Sequence, residues 1–252
     1  TRSSRPWGAL EQAVVQTRTE SAAIRAKLAL AFRRRGQTDP KRHLLVGPRI
    51  DASRLAAGGA GLTDRVFMRE TANPGEAHLS IVLCLDRSGS MSSTFATGMS
   101  PKALAMLAGA LDGMQNVSLA VVSFSDDASL DTPFGSRWAS KEVRRKASRS
   151  LAPCSGTDAS TGLALAHSLL NSEVAKRKGR GLVICITDGC TGSKTQARLA
   201  VRAIRKDGHE VYGVGMDDTS ILQWLEASSV AITTSGALGH CLLELAEKAA
   251  TS

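Results

Sequence analysis

Two short runs of nearly uninterrupted apolar residues, Leu79 to Leu85 and Leu182 to Ile186, constrain this chain more than any other feature. A strand with one wet face alternates apolar and polar residues, so a continuous apolar run belongs to a strand buried on both faces. Between and after the two runs lie stretches with helical periodicity. The spacing predicts helices at Pro101 to Met114, Lys141 to Ser150, Ser160 to Leu170, Thr195 to Lys206, Ile221 to Glu226 and Ala237 to Ala249. It predicts further strands at Val117 to Phe124, at the edge near Ala128 to Thr132, at His209 to Val214 and at Val230 to Thr233. Buried strands alternating with helices define an α/β fold: a doubly wound, mostly parallel sheet with helices on both faces. In such sheets the functional crevice lies beyond the carboxyl ends of the strands, where the strand order reverses.

The first 78 residues lack that rhythm and read as an N-terminal helical and β extension to a domain at 79–252. Leu10, Val14, Val15, Ile24, Leu28, Leu30 and Phe32 recur mostly at spacings near three and four, which predicts one amphipathic helix from about Leu10 to Arg35, stopped at Gly36. After the breakers Thr38-Asp39-Pro40 come a short apolar run at Leu44 to Val46, a Gly47-Pro48 turn and a short helix capped by Asp51 and running through Leu55. A flexible Gly58 to Gly61 connection, a strand at Arg65 to Met68 and a turn at Asn73-Pro74-Gly75 complete the extension. The basicity concentrates here, with 14 Lys and Arg against 7 Asp and Glu, whereas residues 79–252 hold 18 against 16. A basic segment attracts nucleic acid, an anionic membrane or an acidic protein surface, and it is as often a plain solvated helix face.

Composition narrows the class further. With 42% hydrophobic and 22% charged residues the chain is neither disordered nor fibrous. No apolar run reaches the length of a transmembrane helix, and the Arg residues of Thr1 to Pro6 precede no apolar stretch of the signal-peptide kind. The five cysteines, Cys84, Cys154, Cys185, Cys190 and Cys241, show neither disulfide nor zinc-knuckle spacing, so a reducing cytoplasm is the expected compartment.

Directly after the first buried strand stands Asp86-Arg87-Ser88-Gly89-Ser90-Met91. On an extended loop the alternate positions Asp86, Ser88 and Ser90 turn their oxygens the same way. Thr157-Asp158 precedes a helix, and Thr187-Asp188-Gly189 closes the second buried strand, so all three loops fall at one edge of the expected sheet. Hydroxyls and few carboxylates are hard donors suited to a divalent ion such as Mg²⁺, with a coordination position left for a carboxylate from outside. Binding rather than turnover is the natural use of such a site. Thr157 also reads as a helix N-cap, a role compatible with ligation, while Asp158 reads as a loop-shaping acceptor. Asp126-Asp127 reads as a turn between strands.

Catalytic alternatives find little support. Gly192-Ser193-Lys194-Thr195 lacks the upstream glycine and the Gly-Lys step of a phosphate-binding loop. Ser88 and Ser90 have no G-x-S-x-G frame, and His43, His78, His167, His209 and His240 show neither triad context nor metal spacing. A haloacid-type phosphatase needs a second Asp where Ser88 stands.

The ordered set of Asp86-x-Ser88-x-Ser90, Gly156-Thr157-Asp158 and Ile186-Thr187-Asp188-Gly189 resembles the metal-ion-dependent adhesion site of von Willebrand factor A domains, over about residues 79–252. The resemblance implies a metal shell of Asp86, Ser88, Ser90, Thr157 and Asp188, with the serines coordinating directly and the aspartates often through water. The ion it implies is Mg²⁺ or Mn²⁺. Arg49 to Leu55, Arg65 to Glu70 and Leu83 to Met91 are further similar to the C-terminal part of cobaltochelatase CobT subunits and of the nitric oxide reductase activation protein NorD. Arg87 departs from that pattern, standing where an uncharged residue is commoner. What this second resemblance implies is an adaptor, not an enzyme by itself, that partners a MoxR-type AAA+ ATPase and a client bearing an acidic residue within an oligomeric complex. A membrane or nucleic-acid partner is not expected. The alternative it implies is the non-ATPase subunit of a cobaltochelatase that inserts cobalt into a tetrapyrrole.

Overall fold

The computed structural model describes residues 4–36, 41–46, 49–69, 78–189, 191–216, 221–225 and 229–232. The chain divides into two compact units, one made of residues 1–29 and 78–252, the other of residues 30–77. It begins with helices α1 (Ser4–Gln16) and α2 (Arg18–Gly36). These replace the single helix expected over the same stretch, with the break at Thr17. There the Ala13 carbonyl accepts both the Thr17 backbone N–H at 2.9 Å and the Thr17 hydroxyl at 2.8 Å, a back-bonding that bends helices.

The smaller unit holds strands β1 (Lys41–Leu44), β2 (Arg49–Ile50) and β3 (Phe67–Arg69) in an antiparallel sheet of order β1-β3-β2. The helix expected after Asp51 is a 3-10 turn, Ala52–Arg54, followed by α3 (Leu55–Gly59). The Asp51 carbonyl accepts the Arg54 N–H at 2.9 Å. The expected turns at Gly47-Pro48 and Asn73-Pro74-Gly75 lie outside the described residues.

The larger unit is built on a six-stranded sheet. Its strands are β4 (Leu79–Asp86), β5 (Val117–Phe124), β6 (Ala128–Thr132), β7 (Arg180–Thr187), β8 (Glu210–Met216) and β9 (Ser229–Ile232), in the order β6-β5-β4-β7-β8-β9. Five are parallel and the edge strand β6 is antiparallel to β5. The helices are α4 (Ser92–Ala96), α5 (Met99–Leu111), α6 (Lys141–Ala147), α7 (Ala159–Arg177), α8 (Lys194–Lys206) and α9 (Leu222–Leu225). The expected helix at Ala237 to Ala249 lies outside the described residues. Val82 and Cys84 of β4 pack with Leu163, Ala166 and Leu170 of α7 and Val201 and Ile204 of α8 in one core. Alternation sends Ile81, Leu83 and Leu85, all at most 2% exposed, to the opposite face. The continuous apolar run thus feeds two cores, which is why it cannot alternate.

Residues 1–29 belong to the larger unit because Leu10, Ala13, Ile24 and Leu28 are buried in it. The segment read from sequence as one extension, 1–78, is therefore two pieces with different attachments. Two polar clamps add to the burial. The Arg144 Nε donates to Glu11 Oε1 at 2.6 Å, and the Arg25 guanidinium donates to the carbonyls of Gly109, Ala110 and Asp112 at 2.6, 3.0 and 2.7 Å. Among the described residues no helix is long and apolar enough to cross a membrane.

Candidate metal centre

The chain leaves β4 toward β5 on one side and returns to β7 on the other, so the strand order reverses at the carboxyl ends of β4 and β7. Asp86 and Thr187 end these two strands. The Asp86 carboxylate is 3% exposed and holds both neighbouring loops. Its Oδ1 accepts the Ser88 N–H at 2.7 Å, and its Oδ2 accepts the Thr187 hydroxyl at 2.6 Å. Thr187 Oγ1 in turn accepts the Gly189 N–H at 3.0 Å, which fixes the turn carrying the buried Asp188. After Ser88 a 3-10 turn, Gly89–Met91, is pinned by the buried Met91 and by the Ser92 hydroxyl donating to the Gly89 carbonyl at 2.6 Å. Ser88 Oγ and Ser90 Oγ lie 2.9 Å apart, brought together by the 3-10 turn and not by the extended loop expected from sequence.

The third loop is stitched to the other two through backbone bonds. Cys154 N–H donates to the Arg87 carbonyl, Asp158 N–H to the Ser125 carbonyl and Gly192 N–H to the Thr157 carbonyl, each at 2.7 Å. Gly156 adopts φ +86°, and a Cβ there would stand 1.7 Å from the Asp126 carboxylate, so glycine alone fits. Thr157 is thereby held between the other two loops by its backbone. Among the described residues its hydroxyl makes no hydrogen bond to Asp86, Ser88, Ser90 or Asp188. The cap of α7 is Asp158, whose Oδ1 accepts the Ser160 N–H at 2.9 Å, so Thr157 is free of the capping role considered from sequence. Asp126 and Asp127 lie between β5 and β6, as their spacing indicated.

Burial pushes the Asp86 carboxyl up to about 6, against the opposing bonds from Thr187 and Ser88, and the charge of Asp188 pushes it further. A cation bound at the mouth of the sheet would offset the repulsion that Asp188 exerts on Asp86. The surrounding donors are oxygens of Ser88, Ser90 and Thr187. Among the described residues, His, Cys, Asp and Glu form no group of three or more able to hold a metal. The oxygens gathered here, from two carboxylates and several hydroxyls, are hard donors of the kind that suits a divalent cation. Sequence reasoning left Thr187 out of the proposed shell. Its signal was a hydroxyl ending an otherwise apolar run, Ile184-Cys185-Ile186-Thr187.

The family model described as von Willebrand factor type A domain matches residues 80–234. No curated protein matches the chain in sequence. Among solved structures, the chain is similar to BatB from Bacteroides thetaiotaomicron, with 19% identity, a TM-score of 0.55 and coverage of 69% of this chain and 100% of that one. The von Willebrand factor type A protein from Catenulispora acidiphila gives 20%, 0.55, 69% and 43%. Proximal thread matrix protein 1 from the mussel byssus, in a form whose MIDAS motif is occupied by zinc, gives 17%, 0.52, 69% and 46%. The chain thus spans less than half the length of the last two proteins, and at these identities the likeness is one of fold.

Proposed function

The chain belongs to the von Willebrand factor type A domain family, and from that premise we propose that it is a metal-dependent protein-binding module. Asp86, Ser88, Ser90, Thr157 and Asp188 would hold Mg²⁺ or Mn²⁺. The observation that carries the reading is the buried Asp86 carboxylate bridging Ser88 and Thr187, with Asp188 beside it and the Ser88 and Ser90 hydroxyls converged. Zinc in the corresponding motif of the mussel protein supports it. When bound, the ion supplies an electrophilic position for a carboxylate of a partner. The residues of this chain do the remaining work: Asp86 and Thr187 fix the two loops, and the serines present their oxygens side by side. The partners proposed are a MoxR-type AAA+ ATPase and a client with an exposed acidic residue, a reading supported by the similarity of Arg49 to Leu55 and Arg65 to Glu70 to CobT and NorD proteins. The same segments favour, as a second reading, a CobT-like subunit of a cobaltochelatase.

Capture from a native lysate tests the proposal, with wild type and Asp188→Ala each in Mg²⁺ and in EDTA. The expected result is an ATPase or a single client retained by wild type in Mg²⁺ only, with calorimetric Mg²⁺ affinity falling by roughly 10–100-fold or more in the variant. Retention indifferent to both metal and mutation would overturn the reading. Cobalt insertion on reconstitution with an ATPase and a tetrapyrrole-binding subunit would select the cobaltochelatase reading.

A further inference from the structure

A cleft of about 1160 Å³ opens on the other side of Arg87, between α1, α6 and the 3-10 turn Ser148–Leu151. Its walls carry Arg87, Lys141, Arg145, Lys146 and Arg149, with Trp7 of α1 at its rim. Among the described residues the lining acid is Glu142, which is tied to Lys146 at 3.1 Å, so Arg87, Lys141, Arg145 and Arg149 have no acid in the described wall. The charges of Arg87 and Arg149 also reach the Asp131 carboxylate of β6, outside the wall. A run of basic residues is often a solvated helix face, but this one is concave and braced. The Glu11–Arg144 pair at 2.6 Å clamps α1 to α6, so the cleft exists before any ligand arrives. Arg87 Nε is buried with no hydrogen-bond partner, a donor that desolvation leaves in need of an acceptor.

We propose that this cleft binds an acidic segment of a partner protein, its carboxylates paired with Arg87, Lys141, Arg145 and Arg149. The volume exceeds the ~300–1,000 Å³ usual for small-molecule sites, which favours a stretch of polypeptide over a single anion. Guanidinium groups match carboxylates bidentately, and the Trp7 ring gives the segment an apolar edge to lie on. Nucleic acid is the competing polyanion, and the test below separates it from peptide. Arg87 is covalently next to Ser88, so an acidic partner held at the metal centre has the cleft beside it. That last step rests on the metal-dependent reading; the binding of acidic peptide does not.

The test is a fluorescence anisotropy titration of the full chain with labelled deca-glutamate, in EDTA and in Mg²⁺, with an unlabelled single-stranded RNA as competitor. In EDTA wild type is expected to bind, to weaken with added salt, and to lose at least tenfold in affinity in Lys141→Glu/Arg145→Glu. Arg149→Glu, on a different part of the wall, is expected to weaken binding in the same direction, and circular dichroism melting reports whether either variant is folded. Absence of binding in EDTA, or unchanged affinity in both folded variants, overturns the proposal. RNA that binds more tightly than the peptide and displaces it assigns the cleft to nucleic acid and also overturns it. Any gain in affinity on adding Mg²⁺ reports the metal centre separately, so one reading can fail while the other stands.

Discussion

At Gly162 helix α7 approaches β5 so closely that a Cβ would stand 2.6 Å from Phe124 Cδ1 and 2.8 Å from Phe124 Cβ. Phe124 is fully buried, with no slack to yield. Gly162→Ala should therefore destabilise by about 1–3 kcal/mol through overpacking, although alanine is the better helix former. Urea denaturation followed by circular dichroism measures this, and an unchanged midpoint would refute the packing argument. The same residue scale sets what could be read of the site. Asp86, Ser88 and Ser90 were legible because they stand within five residues of one another at the end of a buried strand, although a 3-10 turn and not an extended loop brings the two serines together. The Thr187 bond to Asp86 joins positions 101 apart and depends on the pairing of β4 with β7, which no local pattern encodes. The stretch from Lys141 was read only as a helix, and its cations form a cleft because Trp7 reaches it from the other end of the chain.

Among the elements, α5 ends against a side chain from α2. Arg25 donates to the carbonyls of Gly109, Ala110 and Asp112, which belong to the last turn and the cap of α5, where carbonyls have no partner within the helix. A cation there also complements the helix dipole. Arg25→Ala should cost about 1–2 kcal/mol, the lower range because the side chain is largely exposed, and Arg25→Lys should restore only part of that loss. Thermal melts of the three proteins check the order. Strands β5 and β6 have the bounds read from sequence, because the polar Ser125 to Asp127 separates two clear patterns. Helix α7 runs on to Arg177, past the expected end at Leu170. Its last turns, Asn171 to Arg177, are mostly polar, so apolar periodicity stops before the helix does, and Lys178 in the left-handed region, φ 53°, terminates it. The break at Thr17 falls in the gap of the apolar series between Val15 and Ile24, where the segment carries neither Gly nor Pro to mark a stop.

For the whole molecule, the mostly parallel α/β class with β6 at its edge followed from strand character and helix alternation, but the strand order and the division into units did not. The burial of Leu10 and Ile24 is decided by tertiary packing, and a basic flank reads the same whether it docks or not. The pH dependence of global stability is likewise set by groups whose burial is tertiary. Burial pushes the Asp131 carboxyl up to about 6, partly opposed by Ser123 and by the charges of Arg87 and Arg149, and one of its oxygens has no hydrogen-bond partner. A folded-state value above the unfolded one means the native protein binds the proton more tightly. Stability from this group is thus present at and below about pH 4 and is lost as pH rises toward 6, by about 2–3 kcal/mol in all. His209 acts at the other flank. Burial and the neighbouring His167 hold it below the usual imidazole range, so folding favours its neutral form and stability falls as pH drops below about 6.5. Asp131→Asn removes the first loss and leaves the second. The variant should match wild type near pH 4 and exceed it by about 1–3 kcal/mol at pH 7.5 in chemical denaturation, if its amide keeps the Ser123 contact. Equal stability at pH 7.5 would mean that the ionised carboxylate is compensated by Arg87 and Arg149, and an acidic ligand would then have to compete with Asp131 for the same two cations.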